Sequence, residues 1–195
     1  MIPLEDAQSH VMKNIKTLKD ENVHLLQGRN RAITEPILSN ESIPPFDNTA
    51  VDGYAVKAID TKGATQETPT SLTVLETIAA GKPPTFAIQS GECSKIMTGA
   101  PIPDGADAVV MVERTKQQEN ESVVAIEEEV SKGQHIRRSG EDLEPGDLVI
   151  PQGTILNAAH LGLLASLGIY QITTVRIPTV GVFSTGDELI EGSQE

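Results

Sequence analysis

Pro44-Pro45-Phe46-Asp47-Asn48-Thr49-Ala50-Val51-Asp52-Gly53-Tyr54-Ala55 is the stretch on which the reading of the fold turns. Two prolines stop whatever regular structure precedes them, and Gly53 then leads into a β-prone run. Between them a rigid loop packs two carboxylates, an amide and a hydroxyl. Such a loop can hold oxygen ligands for a cation or position an acid or base. Asp47, Asn48 and Asp52 read as readily as Asx-turn residues, the usual role of these side chains beside glycine.

Downstream, short β-prone runs separated by turn residues predict strands at Tyr54 to Val56, Ser71 to Ile78, Cys93 to Met97, Ala108 to Val112 and Ser122 to Ile126. Upstream, Leu4, Ala7, Val11, Ile15 and Leu18 recur at steps of three and four, predicting an amphipathic helix over Leu4 to Leu18. A second helix is predicted over Ala158 to Leu167, capped by Asn157 and ended by Gly168, with Leu161, Leu164 and Leu167 buried. Pro145-Gly146 predicts a turn feeding a strand at Leu148 to Ile150. Further strands are predicted at Gln171 to Ile177 and Val180 to Ser184, followed by a helix start at Thr185-Gly186-Asp187. The order helix, β, helix, then the opening of a βαβ unit, implies an α+β chain. That last piece cannot bury its faces alone, so a chain cut from a longer protein is expected.

Composition narrows the function. The 195 residues carry a formal net charge of −13, a field that repels nucleic-acid backbones and anionic lipid. No apolar run nears the roughly 20 residues needed to span a bilayer, and Met1 to Asp6 lack a signal-peptide pattern, so a cytoplasmic protein without a membrane segment is expected. Cys93 is alone and lies in a predicted strand, which favours a structural role. His10, His24, His135 and His160 show no zinc-ligand spacing, and Glu127-Glu128-Glu129 reads as a solvated charge run.

Three further stretches carry chemistry. In Met97-Thr98-Gly99-Ala100-Pro101-Ile102-Pro103-Asp104-Gly105-Ala106-Asp107-Ala108 a strand runs into a Thr-Gly turn stiffened by prolines, whose amides and hydroxyl are expected to point outward as an oxyanion nest. An ordinary loop needs none of that chemistry. Arg137 and Arg138 are the one adjacent arginine pair, fit to pin phosphate oxygens while Asp142 serves a cation or a proton. A surface ion pair explains them equally. Ser184, Thr185, Gly186 and Asp187 would offer amides and hydroxyls to an anion at a helix start, with Glu188 meeting its cation, or would simply cap the helix. Walker spacing and its lysine are missing, so this is no P-loop.

Taken in order, these four blocks, with Ile136-Arg137-Arg138-Ser139-Gly140-Glu141-Asp142 and Phe183-Ser184-Thr185-Gly186-Asp187-Glu188-Leu189, resemble the signatures of molybdopterin molybdenumtransferases, the gephyrin E-domain-like family. Leu161 to Gly168 fits as well. The resemblance implies insertion of molybdenum from molybdate into adenylylated molybdopterin with release of AMP, Mg2+ attending. It implies catalytic roles for Asp52, Thr98, Asp142 and Glu188, with Asp52, Asp142 and Glu188 as metal ligands. Arg137, Arg138 and Ser184 to Asp187 would bind the pterin or nucleotide phosphate. It implies an elongated helical dimerisation subdomain at 1–43 and 136–177, an inserted β-rich subdomain at 44–135, and the start of a pterin-binding α/β subdomain at 178–195. Homodimerisation is implied, with molybdopterin adenylyltransferase and recipient molybdoenzymes as partners. Family members are about twice as long, so this chain alone is expected to be inactive. Two other readings compete: a dimerisation or scaffold module without catalysis, and a magnesium-dependent phosphohydrolase, against which the incomplete phosphate motif counts.

Overall fold

Gly53–Val56 forms a strand, β4, in which all four residues are buried, so this short segment is covered on both faces. It belongs to a computed structural model in which residues 2–117 and 122–186 are described. β4 lies between β7 (Ala108–Met111) and β6 (Glu92–Ile96), antiparallel to both. β5 (Thr70–Ile78) runs parallel to β6, and β9 (Val123–Ile126) and β8 (Thr115–Gln117) complete a six-stranded sheet in the order β7-β4-β6-β5-β9-β8. The five strands predicted here form within two residues of their expected ends. Alternating apolar and β-branched residues drive them, because successive side chains go to opposite faces.

That alternation makes two cores. Tyr54 and Val56 join Leu72, Cys93, Val110, Val124 and Ile126 on one side, while Ala55 joins Ile96 and Val109 on the other. A register shift in β5 between Val74 and Thr77 breaks the period of two, and Ile78 consequently joins the second cluster rather than that of Leu72. The second core is closed by Val51, Ala100, Ile102 and Ile136, residues of the loops that carry the candidate chemistry. Burial of those apolar neighbours fixes the polar side chains beside them.

The chain divides into two compact units, residues 39–147 and, from both ends of the chain, 1–38 with 148–195. The inserted unit reaches beyond 44–135 because β3 (Asn48–Thr49) pairs with β10 (Ile136–Arg137), Ile43 bridges Leu143, and the Gly146 amide donates to the Ser39 carbonyl at 2.8 Å. Arg137, Arg138 and Asp142 therefore belong to the sheet-bearing unit.

The other unit is as much ribbon as helix. β1 (Asp20–His24) pairs with β12 (Gln171–Val175), and β2 (Ile37–Leu38) with β11 (Leu148–Ile150). Helix α2 (Ala158–Ser166) starts on Asn157, whose side chain accepts the His160 amide while His160 accepts the Asn157 amide. It packs Leu164 against Val23, Leu25, Ile33, Ile150, Leu156 and Ile172. Helix α1 (Leu4–Asn14) ends four residues short of Leu18 and buries nothing, because its stripe meets no partner face among the described residues and β1 claims the chain from Asp20. The strand expected at Val180 to Ser184 is not formed: these residues have no regular structure, and Val182 and Phe183 are 88% and 89% exposed. A strand needs a ladder partner, and none lies beside it among the described residues. Of the helix start expected at Thr185-Gly186-Asp187, Thr185 and Gly186 have no regular structure, and the rest lies outside the described residues. Among the described residues no helix is long and apolar enough to cross a membrane.

Candidate functional site

Asp52 stands at the entrance to β4, where the loop from Pro44 meets the sheet. Gly53 must follow it: a Cβ there would lie 2.0 Å from the Val110 carbonyl oxygen of β7, so only glycine lets the strands close. Asp52 Oδ1 accepts two hydrogen bonds from Thr98, from the amide and from Oγ1, each at 2.7 Å. Those two bonds, the amide first, hold its carboxyl below the ordinary range, so it is ionised at neutral pH. Its second oxygen, Oδ2, accepts no bond among the described residues.

The Thr-Gly turn sits on this carboxylate instead of forming an open nest. The Thr98 amide goes to Asp52, the Gly99 amide to the Thr49 carbonyl at 2.9 Å and the Ala100 amide to the Met97 carbonyl at 2.9 Å. Gly99 takes φ 81°, which allows the sharp reversal. The expected oxyanion nest is thus absent from residues 98–100, because packing of the two loops uses those amides internally. The first two blocks are laced further by Thr49 N to Ala100 O at 3.1 Å and Ile102 N to Asp47 O at 3.0 Å.

The third block wraps the first. Ala50 N donates to His135 O at 3.0 Å, Gly140 N to Pro44 O at 3.0 Å and Asp142 N to Ile43 O at 2.8 Å. Arg138 pairs with Asp47, which also accepts the Ser139 amide at 2.9 Å. The Ser139 bond and then Arg138 hold the Asp47 carboxyl below its ordinary value. Arg137 pairs with Asp142, and both are partly exposed. Asp52 and Asp142 thus spend their charge on different partners, Thr98 and Arg137. Among the described residues no group of three or more His, Cys, Asp or Glu is gathered to hold a metal ion. Phe46 and Pro101, from the first two blocks, line an apolar groove of about 410 Å³ with Lys82, Pro83 and Pro84.

Ser184, Thr185 and Gly186 are exposed and belong to the other unit; Asp187 and Glu188 lie outside the described residues. Asp47, which motif reading offered as a cation ligand or a turn residue alike, is an ion-pair partner of Arg138. Its partner lies 91 positions away, a pairing no local pattern signals. Cys93 is fully buried in the first core, which pushes its thiol up to about 12 and leaves it no nucleophilic role.

This arrangement sits on a chain whose residues 2–168 match the family model for the MoeA N-terminal region, domains I and II. A Mycobacterium tuberculosis protein named molybdopterin molybdenumtransferase 2 is 40% identical over 97% of this chain and 46% of its own length. A Haemophilus influenzae molybdopterin molybdenumtransferase is 39% identical over 98% of this chain and 46% of its own. The crystal structure of the molybdopterin biosynthesis moeA protein from Pyrococcus horikoshii OT3 superposes with a TM-score of 0.88 at 36% identity, covering 100% of this chain and 52% of that one. The chain spans about half the length of these relatives. With three motif-bearing loops gathered on a MoeA-like sheet and the family model matched over 2–168, the chain belongs to the MoeA N-terminal family of molybdenum cofactor biosynthesis.

Proposed function

We propose that this chain serves as the N-terminal part of a molybdopterin molybdenumtransferase, which transfers molybdenum from molybdate to adenylylated molybdopterin and releases AMP, and that it is inactive by itself. The observation that carries this reading is the convergence of the Asp52, Thr98 and Arg137-to-Asp142 loops on one rim of the sheet. Both substrates are anions, so carboxylates beside them make sense as ligands of a cation or as proton-handling groups.

The donor set suits Mg2+. This hard cation keeps several waters and takes only one or two carboxylates, and Asp52 is an ionised, exposed carboxylate with one oxygen unbonded. Asp52 would hold it, and Asp142 would join only on leaving Arg137. When bound it would neutralise charge on the phosphoanhydride. Thr98 orients Asp52. Arg137 and Arg138, whose guanidinium groups carry more donors than one carboxylate uses, would hold phosphate oxygens. The Phe46 groove offers a flat, apolar wall for a heterocycle.

A homodimer through the bare apolar stripe of α1 belongs to the same proposal. A scaffold module without catalysis is the alternative. Asp52→Asn and Asp142→Asn in the full-length protein separate the two, because Asn preserves shape and an acceptor for Thr98 while removing charge. Molybdenum insertion is expected to fall about a hundredfold or more, the scale of removing a positioned acid or base, with little change in melting temperature. Wild-type insertion rates in both variants would remove these residues from the chemistry.

A further inference from the structure

Half of the six arginines in this acidic chain, Arg29, Arg31 and Arg176, line a single cavity of about 560 Å³ within the unit formed by the two chain ends. The cavity is built rather than incidental. Gly28 packs so tightly that a Cβ would lie 2.4 Å from Ile172 Cδ1, which presses the Arg29-to-Ala32 turn onto the core. Asn30 takes a left-handed φ of 62°, and its amide donates to the Leu156 carbonyl at 2.8 Å. Leu156 returns a bond to Arg31 O at 2.9 Å, and the Val175 amide donates to Ala32 O at 2.8 Å.

The three arginines are not equivalent. Arg31 is buried, donates to the Val175 carbonyl through Nε at 3.2 Å and Nη2 at 3.1 Å, and pairs with Glu21, so its charge is spent. Arg29 and Arg176 are exposed, and neither forms an ion pair among the described residues. Two uncompensated guanidinium groups on one cavity, in a chain of net charge −13, mark a place that attracts a dianion. The remaining wall is apolar, with Ile155, Ile177 and Pro178. A cavity of this volume matches small organic ligands and far exceeds a lone oxyanion.

We infer that this cavity binds a small organic phosphate, its phosphate held by Arg29 and Arg176 and its body against Ile155, Ile177 and Pro178. The inference stands apart from the Asp52 rim, whose residues belong to the other unit.

Isothermal titration of the 195-residue chain with phenyl phosphate, inorganic phosphate and phenol at low salt tests it. Phenyl phosphate should bind, inorganic phosphate about tenfold more weakly, and phenol not measurably. Arg29→Gln and Arg176→Gln should each weaken phenyl phosphate about tenfold, the loss of one charge-assisted contact, while Arg114→Gln, at an exposed arginine outside both sites, leaves it unchanged; Arg137→Gln and Arg138→Gln report whether the transferase site binds it instead. No binding of phenyl phosphate, equal affinity for inorganic phosphate, or a loss confined to the Arg137 and Arg138 variants would each overturn the assignment. The last of these would move the binding to the proposed transferase site.

Discussion

Asp47 shows how a residue that looks like loop punctuation becomes a fastening. Its carboxylate takes the Ser139 amide at 2.9 Å and Arg138, tying together segments 92 positions apart. Those bonds depress its pKa from the usual 3.8, so the ionised form is the one the fold favours. A depressed carboxylate adds stability that is fully present above its unfolded value and is lost as pH falls through the folded one. The Ser139 amide shift, followed by NMR, should therefore titrate with a midpoint below 3.8. Asp47→Asn should lower the melting temperature at pH 7, with the difference from wild type shrinking on acidification. A Ser139 titration at or above 3.8 would contradict the bonding described. None of this was visible in Pro44 to Ala55 alone, where Asp47 and Asp52 were equivalent candidates for turn or site. Only the loops packed against them decide which partner each carboxylate takes.

Among the elements, β4 and α1 mark the two ends of legibility. β4 was readable because Tyr54, Ala55 and Val56 suit a strand whatever surrounds them, and the sheet then buries both of its faces. α1 was readable as a helix from its spacing, but its length and burial were not. Its apolar residues stay bare, Leu4 at 67% and Met12 at 68% exposed. Eleven residues without tertiary support are a marginal helix in water. In dilute solution, where the chain is monomeric, the amides of α1 should exchange hydrogen nearly as fast as an unstructured segment. They should gain protection at tens of micromolar if a second copy covers the stripe, a range on the order of that used to detect weak association. Strong protection at the lowest concentration would show that the helix is held within one chain, and concentration-independent exchange would argue against the dimer.

For the whole molecule, the decisive fact is that the ends of the sheet-bearing unit meet. Ser39 N donates to Asp147 O at 2.9 Å and Gly146 N to Ser39 O at 2.8 Å, so residues 39–147 leave and rejoin the rest of the chain at one place. With two cores of its own, this segment should fold when expressed alone, giving one cooperative thermal transition and a dispersed amide spectrum. Absence of a cooperative transition would mean that it depends on the other unit. By itself the amino-acid order determined the local elements, through the period of two in β4 to β9, the capping Asn157 and the turn glycines, and it marked the blocks that place the chain in its family. Those are short-range properties, set by φ/ψ preference and side-chain alternation. Tertiary structure alone decided that residues 39–43 and 136–147 join the inserted unit, that the Thr98 amide serves Asp52 rather than an anion, and that Arg29 and Arg176 share a cavity. Each of these depends on residues brought together from dozens to more than a hundred positions apart. Local propensity cannot specify such encounters; burial of shared apolar surface does.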